Sequence, residues 1–413
     1  MRILLALLLL TSPAFAADWP HWRGPSLKNI APDSATPPPT AWDENTNIVW
    51  KAPIPGFGRS SPIIVGDRVM LTTADEAKQT QSVLCFNRAT GERRWAKTVN
   101  QGHLQEKLHR NNSNATSTLI CDGSTIYATF VNREKVQVTA LSLEGVIQWQ
   151  KDVGFYQPRM YQYGYGASPT IYKDSIIVTS EYEKGWIAAI DKRNGKQLWR
   201  IERPNNTSYS SPIVATIAGR DQLLLSGDDR ITSFNPATGA ELWSTPAITK
   251  ATCGTLVWEG GVIFGSGGFP KSQTIAIAGD GSGKVLWSND QNCYEQSLLV
   301  HDGHVYAFTN RGFAHCWRAT DGKEMWSQRL GGPVSASPVY ANGHIYAANE
   351  KGTMFVFKAD PKAFDLVATN QLGDDGFSTI AIVDGRIYQR AASGRRKDRK
   401  ETQYCLGARR WPP

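Results

Sequence analysis

The signatures of several kinds of chemistry are absent from this 413-residue sequence. It has no Cys-x-x-Cys-His for covalent haem, no His-Glu-x-x-His or paired Cys-x-x-Cys for zinc, and no Gly-x-Ser-x-Gly nucleophile elbow. Gly279–Lys284 has the wrong spacing for a phosphate-binding loop, Val285 stands where Ser or Thr is required, and Trp287 marks a structural turn. No long amphipathic helical pattern is present either. The sequence therefore offers no catalytic constellation.

Long apolar runs are confined to the first residues of the chain. Met1-Arg2, the apolar run Ile3–Leu10 and the small residues Ala14 and Ala16 form the pattern of an export signal, which predicts a signal peptide over 1–16. No other stretch approaches the roughly 20 apolar residues of a membrane span. We therefore expect no transmembrane segment and an exported protein, periplasmic or secreted, that is soluble after signal cleavage. Without Cys at the cleavage point, lipid attachment there is not expected.

A repeated phrase is the most informative feature present. Each copy contains a strand, a tight turn with Gly and a second strand opened by Trp. In the Ala189–Trp199 copy, Asp191 can accept hydrogen bonds from turn amides, and Gly195 suits a turn that a Cβ would penalise. A buried indole removes a large apolar area from water, so these tryptophans are interpreted as residues that dock one repeat on the next. They are Trp50, Trp95, Trp149, Trp199, Trp243, Trp287 and Trp326.

A second unit precedes each phrase and is a short strand, often with Pro near its start, as in Ser168-Pro169. One repeat thus supplies four strands, and periodic repeats of this length are typical of radial β-folds. The inner strands are predicted to start near Ser61, Ser117, Ser168, Ser211, Gly254, Ser297, Ser337 and Thr379.

These eight starts predict an all-β, eight-bladed β-propeller of four-stranded blades over 47–413. The last outer strand is missing at the carboxyl end, whereas an unpaired copy stands at Asn47–Trp50. The N-terminal strand near 47–50 is therefore expected to complete the eighth blade and close the ring, which removes exposed sheet edges. Residues 17–46, rich in turn formers, are interpreted as an extended arm lying on the propeller.

Charge and cysteines are weaker guides. The net charge is +8, and the most concentrated basic stretch is 395–400, which we interpret as a solvated loop between two strands, with an anionic partner as the alternative. Of the six cysteines, Cys85, Cys121, Cys316 and Cys405 have the pattern of buried apolar residues. Cys253 and Cys293 precede neighbouring inner strands, which leaves a disulfide between them open.

The candidate binding residues lie on loops that enter the inner strands. These loops crowd one mouth of the central channel and carry polar residues that the repeat does not require. The same residues are also what any propeller exposes at its loop tips. The candidates are Arg59, His109, Asn112, Tyr163, Tyr165 and Asn206.

The phrase at 189–199 resembles the tryptophan-docking motif of the pyrroloquinoline-quinone-like repeat family, with looser copies at 85–95, 233–243 and 316–326. The opening Asp18–Pro25 and the run Gly56–Pro62 resemble exported single-domain propellers of this class. The resemblance covers essentially the whole mature chain. It implies the propeller fold strongly and the function weakly, because one fold hosts many functions.

Two functions follow from the resemblance. Quinoprotein dehydrogenases hold pyrroloquinoline quinone and calcium on such a ring, and their alcohol-oxidising members carry adjacent cysteines that this sequence lacks. The family of outer-membrane barrel-assembly propeller lipoproteins is non-catalytic and binds partner proteins. We expect an exported, monomeric, non-catalytic binding or scaffold module without a cofactor, whose partner is an unidentified protein or small molecule. The alternative is a dehydrogenase that binds the quinone and calcium.

Overall fold

The computed structural model describes residues 17–157, 163–181, 184–203, 208–394 and 398–408. These residues form 32 β-strands in eight four-stranded antiparallel sheets, and no α-helix occurs among them. Each sheet is one blade of a ring, so the predicted all-β, eight-bladed propeller is confirmed. No helix able to span a bilayer occurs in the described ranges.

The strands of the ring are, in chain order, β1 (Ile48–Ile54), β2 (Ile63–Val65), β3 (Arg68–Asp75), β4 (Thr80–Asn87), β5 (Arg93–Gln101), β6 (Ile120–Cys121), β7 (Thr125–Asn132), β8 (Lys135–Ser142), β9 (Ile147–Phe155), β10 (Thr170–Tyr172), β11 (Ser175–Ser180), β12 (Gly185–Asp191), β13 (Gln197–Arg203), β14 (Ile213–Ile217), β15 (Arg220–Gly227), β16 (Arg230–Phe234), β17 (Glu241–Pro246), β18 (Val257–Glu259), β19 (Val262–Gly267), β20 (Gln273–Ala278), β21 (Val285–Asn289), β22 (Leu299–His301), β23 (His304–Phe308), β24 (Phe313–Arg318), β25 (Glu324–Arg329), β26 (Val339–Ala341), β27 (His344–Ala348), β28 (Thr353–Lys358), β29 (Leu366–Gln371), β30 (Ala381–Val383), β31 (Arg386–Ser393) and β32 (Lys400–Leu406).

The ring closes by combining the two ends of the chain in one blade. Blades one to seven each take four consecutive strands, from β2–β5 to β26–β29, whereas the eighth has the order β1-β32-β31-β30. In its register Trp50 faces Cys405 and Ile54 faces Glu401. The predicted closure by the N-terminal strand is therefore confirmed. With β1 in place the eighth blade has the same four strands as the others, and β32 is not left as an edge strand.

The repeat tryptophans join neighbouring blades. Six of the seven donate the indole N–H to a backbone carbonyl in the turn of the next blade, at 2.8 to 3.2 Å. The bond from Trp50 to Arg88 O, 2.9 Å, spans the seam between blades eight and one. Trp243 differs because its N–H donates to Gln222 Oε1 in its own blade, at 2.8 Å.

The turn glycine of each phrase makes this docking possible. Gly91 has a φ of +75°, and a Cβ at that position would lie 2.6 Å from the Trp50 ring. The turn acid also acts as predicted, since Asp191 Oδ1 accepts a hydrogen bond from the Arg193 amide at 2.8 Å. Sterics and turn hydrogen bonding together explain why Gly and Trp recur at fixed spacing.

All six cysteines are free thiols, so the disulfide left open between Cys253 and Cys293 is not formed. The Cys293 thiol instead points to the Phe308 carbonyl, with an S–O distance of 3.6 Å. The four cysteines predicted to be buried are buried, and burial raises the pKa of Cys85 to about 12.

The segment at 17–46 does more than lie on the surface. Trp19 pairs with Ile64 in the middle of β2, and the Pro20 carbonyl accepts from the Cys121 amide at 3.0 Å. Further along, Ile30 pairs with Tyr340 in blade seven. Asp18 Oδ1 also accepts from the amide of Gly66, directly after β2, at 2.8 Å, so the segment enters the channel on the side opposite the loops where the inner strands begin.

Candidate functional site

A cup of about 180 Å³ lies in the channel at the mouth where the inner strands begin. Every blade contributes the Ser or Thr that stands two residues before its inner strand. These eight residues, hereafter the hydroxyl ring, are Ser61, Thr118, Ser168, Ser211, Thr255, Ser297, Ser337 and Thr379. All eight are more than 90% buried.

Backbone amides orient most of the hydroxyl ring. The amide of one ring residue donates to the hydroxyl of the next blade, for example Ser61 N to Thr118 Oγ1 at 3.0 Å. The same bond, at 2.9 to 3.1 Å, orients the hydroxyls of Ser168, Ser211, Ser297, Ser337 and Thr379. A hydroxyl that accepts in this way keeps its own O–H for another acceptor. None of these six O–H groups donates a hydrogen bond to another described residue.

Trp22 lines the cup. It is half-buried and belongs to the segment that enters the channel from the opposite end. Its neighbours His21 and Arg23 are fully enclosed, and Arg23 lies with its guanidinium carbon 5.0 Å from the Trp22 ring centroid. Burial, with a smaller effect of nearby Arg23, lowers the pKa of His21 to about 3, so this imidazole is neutral. Burial also lowers the pKa of Arg23 to about 9.

The loop at 102–116 spans the mouth above the cup. Asn111 Nδ2 donates to Glu295 Oε1 at 3.0 Å, which links the entries to blades two and six on opposite sides of the ring. On another side the His109 and Tyr163 rings lie 4.7 Å apart. Arg59 Nη2 donates to the Arg110 carbonyl at 3.1 Å. The loop is thus tied to three parts of the rim and narrows the opening.

The rim near the seam is an ion-pair network covered by aromatic rings. Arg59 contacts Asp375 at 3.3 Å and lies 3.4 Å from the Phe377 ring centroid. Asp375 also accepts from Arg399 at 2.8 Å, and Arg399 donates to Glu401 at 3.0 Å. The stretch at 395–400 is therefore not simply a solvated loop, because Arg399 is held in ion pairs. Residues 395–397 lie outside the described residues.

The sequence candidates divide into three groups. Arg59, Asn112 and Tyr163 line the cup, and His109 packs on Tyr163 beside it. Tyr165 is buried away from the mouth, and its hydroxyl donates to the Thr179 carbonyl at 2.9 Å, so its placement at the mouth was wrong. Asn206 lies outside the described residues.

Sequence reasoning missed the hydroxyl ring and Trp22. Although Ser61 and its counterparts were recognised as strand starts, Ser117 and Gly254 were chosen where Thr118 and Thr255 hold the equivalent positions. A Ser or Thr two residues before each inner strand was the available signal. Nothing in the sequence pattern places Trp22 in the channel, because its surroundings come from distant blades.

The mouth fits quinone and calcium poorly. Calcium takes six to eight oxygen ligands, usually with several carboxylates. Glu295 and Glu350 are neighbours, but Asp375 is taken by two arginines, and no group of three or more His, Cys, Asp or Glu suited to a metal occurs among the described residues. Burial raises the pKa of Glu350, with a smaller contribution from the nearby Glu295 carboxylate.

The fold and the cup define a class of protein, the eight-bladed propeller with a recess at its channel mouth. The family model described as "Outer membrane protein assembly factor BamB" matches residues 34–162, 162–268 and 271–361. The chain belongs to this family.

Two relatives carry the same name. BamB of Nitrosomonas eutropha is 25% identical over 191 residues, 42% of this chain and 44% of that protein. BamB of Yersinia pestis is 22% identical over 343 residues, 78% of this chain and 81% of that protein. The chain therefore matches less than half the length of the first relative and most of the second.

Two solved structures resemble the whole ring. BamB from Moraxella catarrhalis has a TM-score of 0.63 at 15% identity, covering 89% of this chain and 99% of that one. The quinohemoprotein alcohol dehydrogenase from Comamonas testosteroni has a TM-score of 0.69 at 12% identity, covering 97% and 82%. Identities this low show the shared fold alone.

Proposed function

We propose that the chain is an exported, non-catalytic binding module that takes its ligand or partner at the mouth of the channel. The hydroxyl ring is the observation that carries this proposal. A hydroxyl nucleophile needs a general base within hydrogen-bond reach. Among the described residues, six of the eight ring hydroxyls accept from backbone amides, and none of the eight is bonded to a His or a carboxylate. Such groups can hold a ligand but are not activated to attack it.

Membership of the BamB family supports the binding role. Its named members are assembly factors, and we carry over from them only the function of a scaffold that binds other molecules. We do not infer the identity of the partner, protein or small molecule, from the family. Export follows from the signal pattern at 1–16.

The shared fold supports the dehydrogenase alternative, but no feature of the mouth supports it. The experiment that separates the two is a dye-linked assay of the mature protein incubated with pyrroloquinoline quinone and calcium, with alcohols and aldoses as substrates. We expect no dye reduction above that of a heat-denatured sample. Turnover that saturates with substrate would refute the non-catalytic proposal.

A further inference from the structure

We infer that the cup binds a single neutral pyranose ring, a monosaccharide or the terminal sugar of a glycan. This inference rests on the proposed function, since it specifies what the binding module holds. Three properties of the cup carry it: its size, the direction of its hydrogen bonding and its charge.

Size limits the ligand to about one ring. The cup holds about 180 Å³, and the Trp22 side chain is part of its lining. An apolar cavity of roughly 150 Å³ accommodates a benzene-sized molecule. A six-membered sugar ring is of this order, whereas drug-sized ligands occupy pockets of roughly 300 Å³ or more. A pyranose can also lay its C–H face on the indole, because that ring has a negatively polarised face.

The hydrogen-bonding groups suit a ligand with oxygens around its edge. Six ring hydroxyls are fixed as acceptors of backbone amides and keep six O–H donors for a ligand, arranged around the channel axis. Buried donors of this kind require acceptors. A pyranose presents oxygens around its perimeter, so it can meet donors from several blades at once.

Acceptors for the sugar's own hydroxyls are present on the rim. Glu295 Oε1 accepts a hydrogen bond from the side-chain amide of Asn111. The other carboxylate oxygen has no hydrogen-bond partner among the described residues. Asn112 donates to the Gly164 carbonyl at 3.5 Å, which leaves its side-chain oxygen for a ligand hydroxyl. The cup therefore offers hydrogen-bond donors from the hydroxyl ring and hydrogen-bond acceptors from the rim.

Charge argues for a neutral ligand. Arg59 is the cation in the lining, and it is already paired with Asp375 and covered by Phe377. Glu295 also lines the cup, and its carboxylate would repel an anion. Phosphates and polycarboxylates such as the quinone therefore lose more on entering than a neutral polyol does.

The test is ligand-observed NMR and calorimetry on the mature protein with glucose, galactose, mannose and N-acetylglucosamine, and with citrate as an anionic comparator. We expect at least one sugar to bind saturably, with a Kd of about 1 mM or tighter, and citrate not to bind. Trp22→Leu should weaken binding at least about tenfold, whereas Trp258→Leu, a half-buried tryptophan outside the cup, should leave it unchanged. If Trp22→Leu does not fold, Ser337→Ala and Asn111→Ala replace it with the same expectation.

Failure to detect any of the four sugars, or binding that these cup variants leave intact, would overturn the inference. The same titrations separate it from the proposed function. Sugar binding accompanied by dye reduction in the presence of quinone and calcium would refute the non-catalytic role and keep the sugar site. Absence of sugar binding together with absence of turnover would refute the sugar site alone.

Discussion

We predict that the charged side chain of Arg23 destabilises the folded state, and that replacing Arg23 with Met raises the free energy of unfolding. The side chain is fully buried, its Nε donates to the Leu27 carbonyl at 2.7 Å, and neither Nη atom has an acceptor among the described residues. Burial lowers the pKa of the guanidinium from 12.5 to about 9. A cation in this position has lost its hydration without gaining a counter-ion, which is among the more costly arrangements in a protein interior.

The size of the effect follows from the pKa. A shift from 12.5 to about 9 corresponds to about 5 kcal/mol at neutral pH as an upper bound, at 1.36 kcal/mol per unit. Arg23→Met keeps an unbranched apolar side chain and loses one hydrogen bond and the cation–π contact with Trp22, about 1 kcal/mol each. We expect the variant to be about 2 to 4 kcal/mol more stable. With an unfolding entropy of about 0.8 kcal/mol/K for a chain of this size, 3 kcal/mol raises Tm by about 4 °C.

The pH dependence has a definite sign. Because the pKa of Arg23 is lower in the folded state, the penalty is fully present below about pH 9 and is relieved as the pH rises toward 12.5. The Tm difference between Arg23→Met and the wild type should therefore be constant between pH 6 and 8 and shrink above 9. Thermal unfolding followed by circular dichroism measures it.

Arg318→Met is the matched control, since Arg318 is an exposed arginine paired with Asp321. It should change the free energy of unfolding by no more than about 0.5 kcal/mol. If Arg23→Met instead lowers Tm by several degrees, the guanidinium is stabilised by a partner outside the protein. The prediction that Arg23 destabilises the fold is then wrong.

Three further predictions concern the seam and the mouth. Trp50→Phe removes the indole bond to Arg88 O and should cost about 1 to 3 kcal/mol in thermal unfolding, whereas an unchanged Tm would contradict blade docking by that bond. Glu401→Gln deprives the buried Arg390 of its counter-charge, leaves Arg399 with Asp375 alone, and should cost about 3 to 5 kcal/mol in urea denaturation; a loss below 1 kcal/mol would show that the network contributes little. Glu350→Gln should raise Tm more at pH 7 than at pH 4, because the raised pKa of Glu350 makes its ionisation destabilising as the pH rises; equal gains at both values would argue against it.

The propeller was predictable because its blades are local in sequence. Gly195 and Trp199 lie close together in the sequence, within one turn and its two flanking strands. Because each repeat has such a turn, the need for a residue that tolerates positive φ and for a docking indole produces the same sequence pattern in each repeat. The closing strand was predictable for the same reason: β1 carries a copy of the phrase that the last blade lacks.

The site was only partly predictable because its contacts are not local. Trp22 lines the same cup as residues from all eight blades, which are scattered over the chain, and no periodicity marks it. Arg399 reads as part of a basic run, yet Asp375 and Glu401 neutralise it across the sheet. Tyr165 was misplaced because two tyrosines two residues apart in one loop face different surroundings, one on the rim and one in the blade.

Calorimetric titration of the mature protein with pyrroloquinoline quinone, with and without calcium, tests the central claim of a non-catalytic binding module most directly. The cup is small, its arginine is already paired, and the acidic residues at its mouth do not form a calcium site. We therefore predict no saturable heat in either condition. Tight binding that depends on calcium would contradict the account and establish the mouth as a quinone site.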